Sequence, residues 1–241
     1  MSLHVFLYVS PIKAIVSCSI HISQFPSSIK KLKIVDSNVI NISQRESFLF
    51  RIDQKIPHLE TLDLSNSSWL SNHSLQAICK CDSLKEVILR GCRKLGECFV
   101  YTALATRFGF RSVQSVDLRD TCIGDAEVPC FGRLPHITRL LLGKTSASDD
   151  IPPPENSESN GRITDRGIMS MCVKDDSQDM GKLKVLSLMQ TSVSDRSLKS
   201  LATSFDLSHL DVRGTNVTEN GVSRYLLLRP SCTVLYDQVE D

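Results

Sequence analysis

The chain has 241 residues, of which 41% are hydrophobic, and carries a formal net charge of +1. A balance this even, with a single Trp and no interleaving of aromatic and basic residues, argues against an electrostatic grip on nucleic acid. No apolar run approaches the roughly 20 residues of a membrane-spanning helix, so neither nucleic acid nor membrane is an expected partner. The length allows one large domain or two small ones.

In chain order, residues 1–27 are the hardest to place. His4 to Val9 and Ile15 to Ile22 have strand-like composition, broken by Pro11 and Pro26. They read as an N-terminal cap or as degenerate repeats. A secretory signal is the alternative for the first 22 residues, but it lacks a basic start, and Pro11 and Lys13 interrupt its apolar stretch. From residue 28 onward one frame recurs. Leu59, Leu62 and Leu64 share it with Leu84, Val87 and Leu89, with Val113, Val116 and Leu118, and with Ile137, Leu140 and Leu142. Leu183, Leu186 and Leu188 follow, then Leu207, Leu210 and Val212, while Lys31-Leu32-Lys33-Ile34 is a degenerate earlier copy. In each copy the frame predicts a short strand with alternate residues facing a core.

A helix is expected after each strand. Leu75 and Ile78 fall on one helical face, as do Leu198 and Leu201, and Val222 with Tyr225 and Leu226. Over Glu97 to Phe108 the same spacing predicts Phe99, Ala103, Leu104 and Phe108 as the buried face. The turn from strand to helix also repeats, as Thr121-Cys-Ile-Gly-Asp125, Thr191-Ser-Val-Ser-Asp195 and Thr215-Asn-Val-Thr-Glu219. In it Ile123, Val193 and Val217 plug the core. Thr164, Ser194 and Thr218 cap helices, with an acid in the first helical turn. Cys92, Thr121, Thr191 and Thr215 are expected to hydrogen-bond backbone between coils. Residues 146–162, polar, acidic and Pro-rich, read as a disordered insertion.

A head of L-x-x-L-x-L returning every twenty-odd residues, with one doubled gap between Ile137 and Leu183, is the leucine-rich-repeat pattern. One such repeat cannot bury its apolar face alone and must stack on its neighbours. The expected fold is therefore α/β. It is a right-handed leucine-rich-repeat solenoid over residues 28–241, with parallel strands on the concave face and helices on the convex face.

Nine cysteines do not make a disulfide framework here. Cys79, Cys81, Cys92, Cys122 and Cys232 fall at or beside packed positions, which points to free thiols in a reducing compartment, cytoplasmic or nuclear. Asn-x-Ser/Thr triplets at Asn41, Asn66, Asn72 and Asn216 would matter only in a secreted chain. Cys79-Lys-Cys81 has no second pair at zinc-site spacing, and no phosphate-cradling Gly loop or nucleophile elbow occurs. No catalytic, metal or cofactor site is expected. A cysteine-histidine nucleophile pair is the enzymatic alternative. His58 and His136 both follow Pro and precede a repeat anchor, and His209 faces outward from a strand.

Cys81-x-x-Leu-x-x-Val-x-Leu-x-x-Cys92, together with Ile163-Thr-Asp-Arg-Gly-Ile168, resembles the cysteine-containing repeats of the F-box/LRR proteins. The resemblance covers roughly residues 28–236. It implies a substrate receptor of an SCF-type ubiquitin ligase, with an F-box on the Skp adaptor and its cullin, and repeats that hold the protein substrate. The Leu-Pro-x-Glu-like opening of an F-box has its nearest counterpart in Phe25-Pro-Ser-Ser-Ile29, which lacks the acid.

What remains is a surface. Outward strand positions predict one column of Asp63, Ile88, Asp117, Leu141, Ser187 and Asp211. A second comprises Ser65, Arg90, Arg119, Gly143, Met189 and Arg213. The partner-binding residues expected on the concave face are Asp63, Arg90, Asp117, Arg119, Arg139, Leu141, Met189, His209, Asp211 and Arg213. Two roles are open for the charges: pairing with one another, or anchoring a ligand. Leu141 and Met189 are expected to form a small exposed apolar patch. The functional reading is a non-enzymatic protein-interaction module for ubiquitin-ligase substrates. The alternative is a ligase-independent scaffold or assembly factor, for example in mitochondrial complex assembly.

Overall fold

A computed structural model of the chain describes residues 4–9, 12–15, 25–35, 49–96, 99–143, 163–173 and 182–237. The insertion expected over 146–162 lies outside the described residues. Eight strands form one parallel stack: β3 (Lys31–Val35), β4 (Thr61–Asp63), β5 (Glu86–Ile88), β6 (Ser115–Asp117), β7 (Arg139–Leu141), β8 (Val185–Ser187), β9 (His209–Asp211) and β10 (Thr233–Leu235). Each pairs in parallel with the next in sequence. Between them run helices α1 (Ile52–Lys55), α2 (Asn72–Ile78), α3 (Phe99–Phe108), α4 (Val128–Gly132), α5 (Asp165–Cys172), α6 (Asp195–Ser204) and α7 (Glu219–Leu228). Each helix from α1 to α6 packs on the next. The result is the α/β solenoid expected from the repeat frame. Strands step by about 4.8 Å and packed helices by about 8 to 10 Å, so the stack bends with its strands on the inner, concave side.

At the N-terminal end, β1 (His4–Val9) runs antiparallel to β3, and β2 (Ile12–Ile15) antiparallel to β1. This pairing occupies the outer edge of β3, which would otherwise present unpaired backbone. The direction is opposite to the parallel stack, so these strands do not continue it.

The core is the leucine spine that the spacing predicts. Leu62, Val87, Val116, Leu140, Leu186 and Leu210 are all buried, with Leu59, Leu84, Val113, Ile137, Leu183 and Leu207 before them. The lead-in to each strand is a one-turn bend. The amide of Leu59 donates to the carbonyl of Ile56, Leu84 to Cys81, Val113 to Phe110 and Ile137 to Leu134. Ile29 donates in the same way to Pro26 and is buried beside Phe25. Phe25 to Ile29 is thus the lead-in of the first coil.

After β4, β5, β6, β8 and β9 the chain turns through a left-handed residue at one repeat position: Asn66, Gly91, Asp120, Gln190 and Gly214, with φ between 57° and 73°. Asn, Asp and Gly tolerate that region best. At Gly91 there is also no room, since a Cβ would meet Asn66 Oδ1 at 2.0 Å. Asn66, Gly91, Asp120 and Gln190 each donate their amide to a carbonyl of the following coil, so the turn itself joins coils.

Two expectations need correction. Helix α3 turns a different face inward. Thr102, Ala105 and Thr106 are buried, whereas Leu104 and Phe108 are exposed and Ala103 is half-buried. The reason is the buried Asn72 side chain, whose amide nitrogen donates to Thr102 Oγ1 at 2.9 Å and so draws a small polar face against α2. Thr121, Thr191 and Thr215 bond within their own coil, to the carbonyls of Leu118, Leu188 and Val212. Only Cys92 of that set reaches across, from Sγ to the Leu64 carbonyl at 3.1 Å. Strand β10 was not anticipated, because Ser231 stands where the preceding copy has Leu207.

Candidate functional site

The outward strand positions line up as the alternation predicts. In register, Asp63 lies beside Ile88, Ile88 beside Asp117, Asp117 beside Leu141, Leu141 beside Ser187, and Ser187 beside Asp211. Asp211 in turn neighbours Leu235 of β10. A parallel column runs Thr61, Glu86, Ser115, Arg139, Val185, His209 and Thr233.

The first column is more shaded than expected. Leu141 is only 8% exposed and Met189 is half-buried, so they do not form an exposed apolar patch. Asp63, Asp117 and Ser187 are buried as well. The cause is geometric: on the inner side of a bend, neighbours spaced by one strand step crowd one another.

Most of the expected anchors are already paired. Arg119 grips Asp117 through two bonds, Nε to Oδ1 at 2.9 Å and a terminal nitrogen to Oδ2 at 2.6 Å. Arg213 grips Asp211 in the same fork, at 2.9 and 2.7 Å. Each carboxylate also accepts the backbone amide of its own Arg. Such bidentate pairs fix both partners. The bond to Asp117 holds the Arg119 guanidinium still further above neutral. For Asp211, burial alone would raise the carboxyl. The Arg213 bonds outweigh it, with Arg119 adding from across the face, and the group sits below the ordinary Asp range. Asp63 accepts the Ser65 hydroxyl at 2.6 Å and pairs with Lys33 at 3.0 Å. Arg90 pairs with Asp120 at 3.1 Å. Arg139 is exposed, and among the described residues no carboxylate lies within salt-bridge distance of it.

The sheet brings five of the ten expected residues together. Arg119, Arg139, Leu141, His209 and Asp211 line one shallow depression of about 370 Å³ over β6 to β10. Val185, Thr233 and Leu235 also line it, beside Leu186, Ser187 and Leu210 at its floor. Sequence reasoning missed Val185, Thr233 and Leu235, although Val185 and Thr233 follow from the same alternation. Asp117 and Arg213 sit beside the depression as partners of its walls, and Met189 follows β8 without lining it. Asp63 lies in β4 and Arg90 just after β5, toward the other end of the sheet. His209, exposed, has its Nδ1 3.0 Å from the Ser208 hydroxyl, and His58 and His136 are exposed repeat equivalents.

Cys79, Cys81, Cys92, Cys122, Cys130, Cys172 and Cys232 are free thiols. Burial pushes Cys81 and Cys92 up to about 12 and Cys172 up to about 11, and it raises Cys79, Cys130 and Cys232 as well. An activated nucleophile needs the opposite shift. Among the described residues no three His, Cys, Asp or Glu are grouped to hold a metal ion. No helix among them is long and apolar enough to cross a membrane.

No protein-family model and no curated protein matches the sequence. Solved structures do match the fold. A chain of the yeast Rad7–Elc1 complex superposes with a TM-score of 0.52 at 14% identity, over 86% of this chain and 54% of that one. The present chain therefore spans about half the length of that relative. An internalin (InlF) from Listeria monocytogenes gives a TM-score of 0.48 at 12% identity, over 97% of this chain and 68% of that one. The TLR13–ssRNA13 complex gives 0.35 at 14%, over 86% and 32%. The likeness to the Rad7–Elc1 chain is one of fold: this chain is a leucine-rich-repeat solenoid.

Proposed function

We propose that this chain is a protein-interaction module that recognises substrates in an SCF-type ubiquitin-ligase pathway, in a cytoplasmic or nuclear setting. The observation that carries the binding role is the depression over β6 to β10, part apolar and walled by two fixed Asp–Arg forks. Preset side chains on a rigid sheet offer a partner a surface whose order is already built. The ligase context is supported by the Cys81-to-Cys92 repeat type. The structural neighbour is itself part of a two-protein complex. The accompanying domain reading is an N-terminal cap or degenerate repeats over residues 1–27 and a repeat domain over 28–241, with the lead-in of the first described coil reaching back to Phe25. We read the chain as non-enzymatic, since the raised thiols oppose the one enzymatic alternative.

One observation favours the second reading, a ligase-independent scaffold or assembly factor. Phe25 to Ile29 folds as a repeat lead-in rather than as the start of an F-box helix. Affinity purification of the tagged chain separates the two. Stoichiometric Skp adaptor and cullin are expected under the ligase reading. A protein partner recovered without either supports the scaffold. In both cases His209→Trp, at an exposed position lining the depression, is expected to reduce recovery of the bound protein without shifting the melting temperature.

A further inference from the structure

The outward face of β7 and β8 differs from its flanks. On β6 and β9 the same two repeat positions carry the Asp117–Arg119 and Asp211–Arg213 forks, whereas on β7 and β8 they carry Leu141 with Gly143 and Ser187 with Met189. The face therefore holds an uncharged window two strands wide between two closed charge pairs. From β6 to β9 is three strand steps, about 14 Å, which spans roughly four residues of extended chain. Leu141 floors the window, half-buried Val185 lies beside it, and Leu235, 47% exposed, lies past the Asp211–Arg213 fork on β10. At one end of the window stands Arg139. Arg119 and Arg213 are spoken for by their own carboxylates, and an acidic ligand would have to displace Asp117 or Asp211 to reach them. Arg139 has no such competitor among the described residues.

Building on the binding role proposed above, we propose that this window takes an extended segment of a partner protein bearing an Asp or Glu one or two residues from a large aliphatic or aromatic side chain. The carboxylate pairs with Arg139, and the apolar side chain lies over Leu141 and Val185. Charge selects the sign: the remaining acids of the depression are closed, so a basic segment meets Arg139 as a repulsion and finds no free carboxylate in exchange. The forks act as walls that exclude, while the unpaired guanidinium attracts.

The test is selection of a random heptapeptide phage library on the whole chain, on Arg139→Glu and on His209→Trp. Circular dichroism would first confirm that the variants, changed at exposed strand positions, melt with the wild type. Wild type is expected to enrich acidic residues beside Leu, Ile, Met or Phe. Arg139→Glu is expected to lose those peptides by about tenfold or more, the scale of one charge-assisted contact, and to enrich Lys or Arg in the same place. Peptides that are blocked by His209→Trp but show no acidic preference, or none that Arg139→Glu reverses, would overturn this inference and leave the binding face standing. Peptides insensitive to His209→Trp as well would remove both.

Discussion

The two halves of the solenoid are stitched by different chemistry. Between C-terminal coils the joints are carboxylates. Asp125 accepts the amide and hydroxyl of Thr164 at 2.7 and 2.5 Å. Asp165 accepts the amides and hydroxyls of both Ser194 and Ser197, at 2.5 to 3.2 Å. Asp195 accepts those of Thr218 at 2.8 and 2.7 Å. Each acid thus grips the residue that caps the next helix, and each cap in turn accepts an amide of its own helix. Between N-terminal coils the joints are neutral: Asn72 with Thr102 and Gly96, Ser67 with the Ile34 carbonyl, and Cys92 with the Leu64 carbonyl. Charge in that half sits on the surface instead, where Lys30 and Lys85 flank Glu60. One repeat frame accommodates both solutions because the joints lie in the strand-to-helix turns and the first turns of the helices, away from the leucine spine.

The largest expected effects do not distinguish the halves. Leu186→Ala and Leu62→Ala each remove a buried spine residue and should cost roughly 2 to 5 kcal/mol in urea unfolding, since either leaves a cavity between coils. A Leu186→Ala variant that unfolds with the wild type would mean the spine is not continuous. Next in size is Asp165→Asn, expected to cost roughly 1.5 to 3 kcal/mol at pH 7, the range of hydrogen bonds to a charged group. Burial alone would raise the Asp165 carboxyl. Its Ser194 and Ser197 donors overcome that and hold it below the ordinary value of 3.8. The folded protein therefore gains stability from this group above that value and loses it as pH falls below it. The Asp165→Asn penalty should shrink over the same acid range. Asn72→Ala should show a penalty that does not change with pH there.

The spine, the strand alternation and the caps at Thr164, Ser194 and Thr218 were legible, because each depends on residues close in sequence. The carboxylate joints were only half legible. Asp165 and Asp195 announce themselves as first-turn acids, but their cross-coil partners lie a full repeat onward. The face of α3 was misread for the same reason. Leu104 and Phe108 satisfy helical spacing as well as Thr102 and Thr106 do, and only Asn72, thirty residues earlier, decides between them. At the candidate site, the outward columns were readable, but which Arg stays unpaired was not. Asp117 with Arg119, two residues apart, was a pairing the order of the chain already offered, whereas Arg90 is taken by Asp120, thirty residues on, a matter of side-chain reach. The left-handed turn residues were a signal present but unused: Asn66, Gly91, Asp120 and Gly214 recur at one repeat position, each of a type that favours positive φ.

Smaller effects sharpen the contrast in sign. Glu127 is buried, and burial raises its carboxyl above the ordinary Glu value despite the bond it accepts from the Gly124 amide. A raised acid contributes instability as pH climbs past its unfolded value, the reverse of Asp165. Glu127→Gln should therefore raise stability at pH 7, by less than about 1 kcal/mol, and leave it unchanged in acid.

The smallest effect lies with Glu60. Hydrogen bonds from Lys85 and then Lys30, with their charge, lower its carboxyl to about 2. Any stability it lends is present above the ordinary value of 4.5 and lost as pH falls toward 2. Unlike Asp165, which is held by neutral hydroxyls and amides between coils, Glu60 is held by two exposed lysines at the surface, and salt screens such pairs within about 3 Å at 1 M. Carbon-detected NMR titration should find the Glu60 value returning toward 4.5 in 1 M salt while Asp165 stays depressed, with little change in melting temperature. Equal movement of both groups would show that the C-terminal joints are held by long-range charge and not by the hydroxyls and amides beside them.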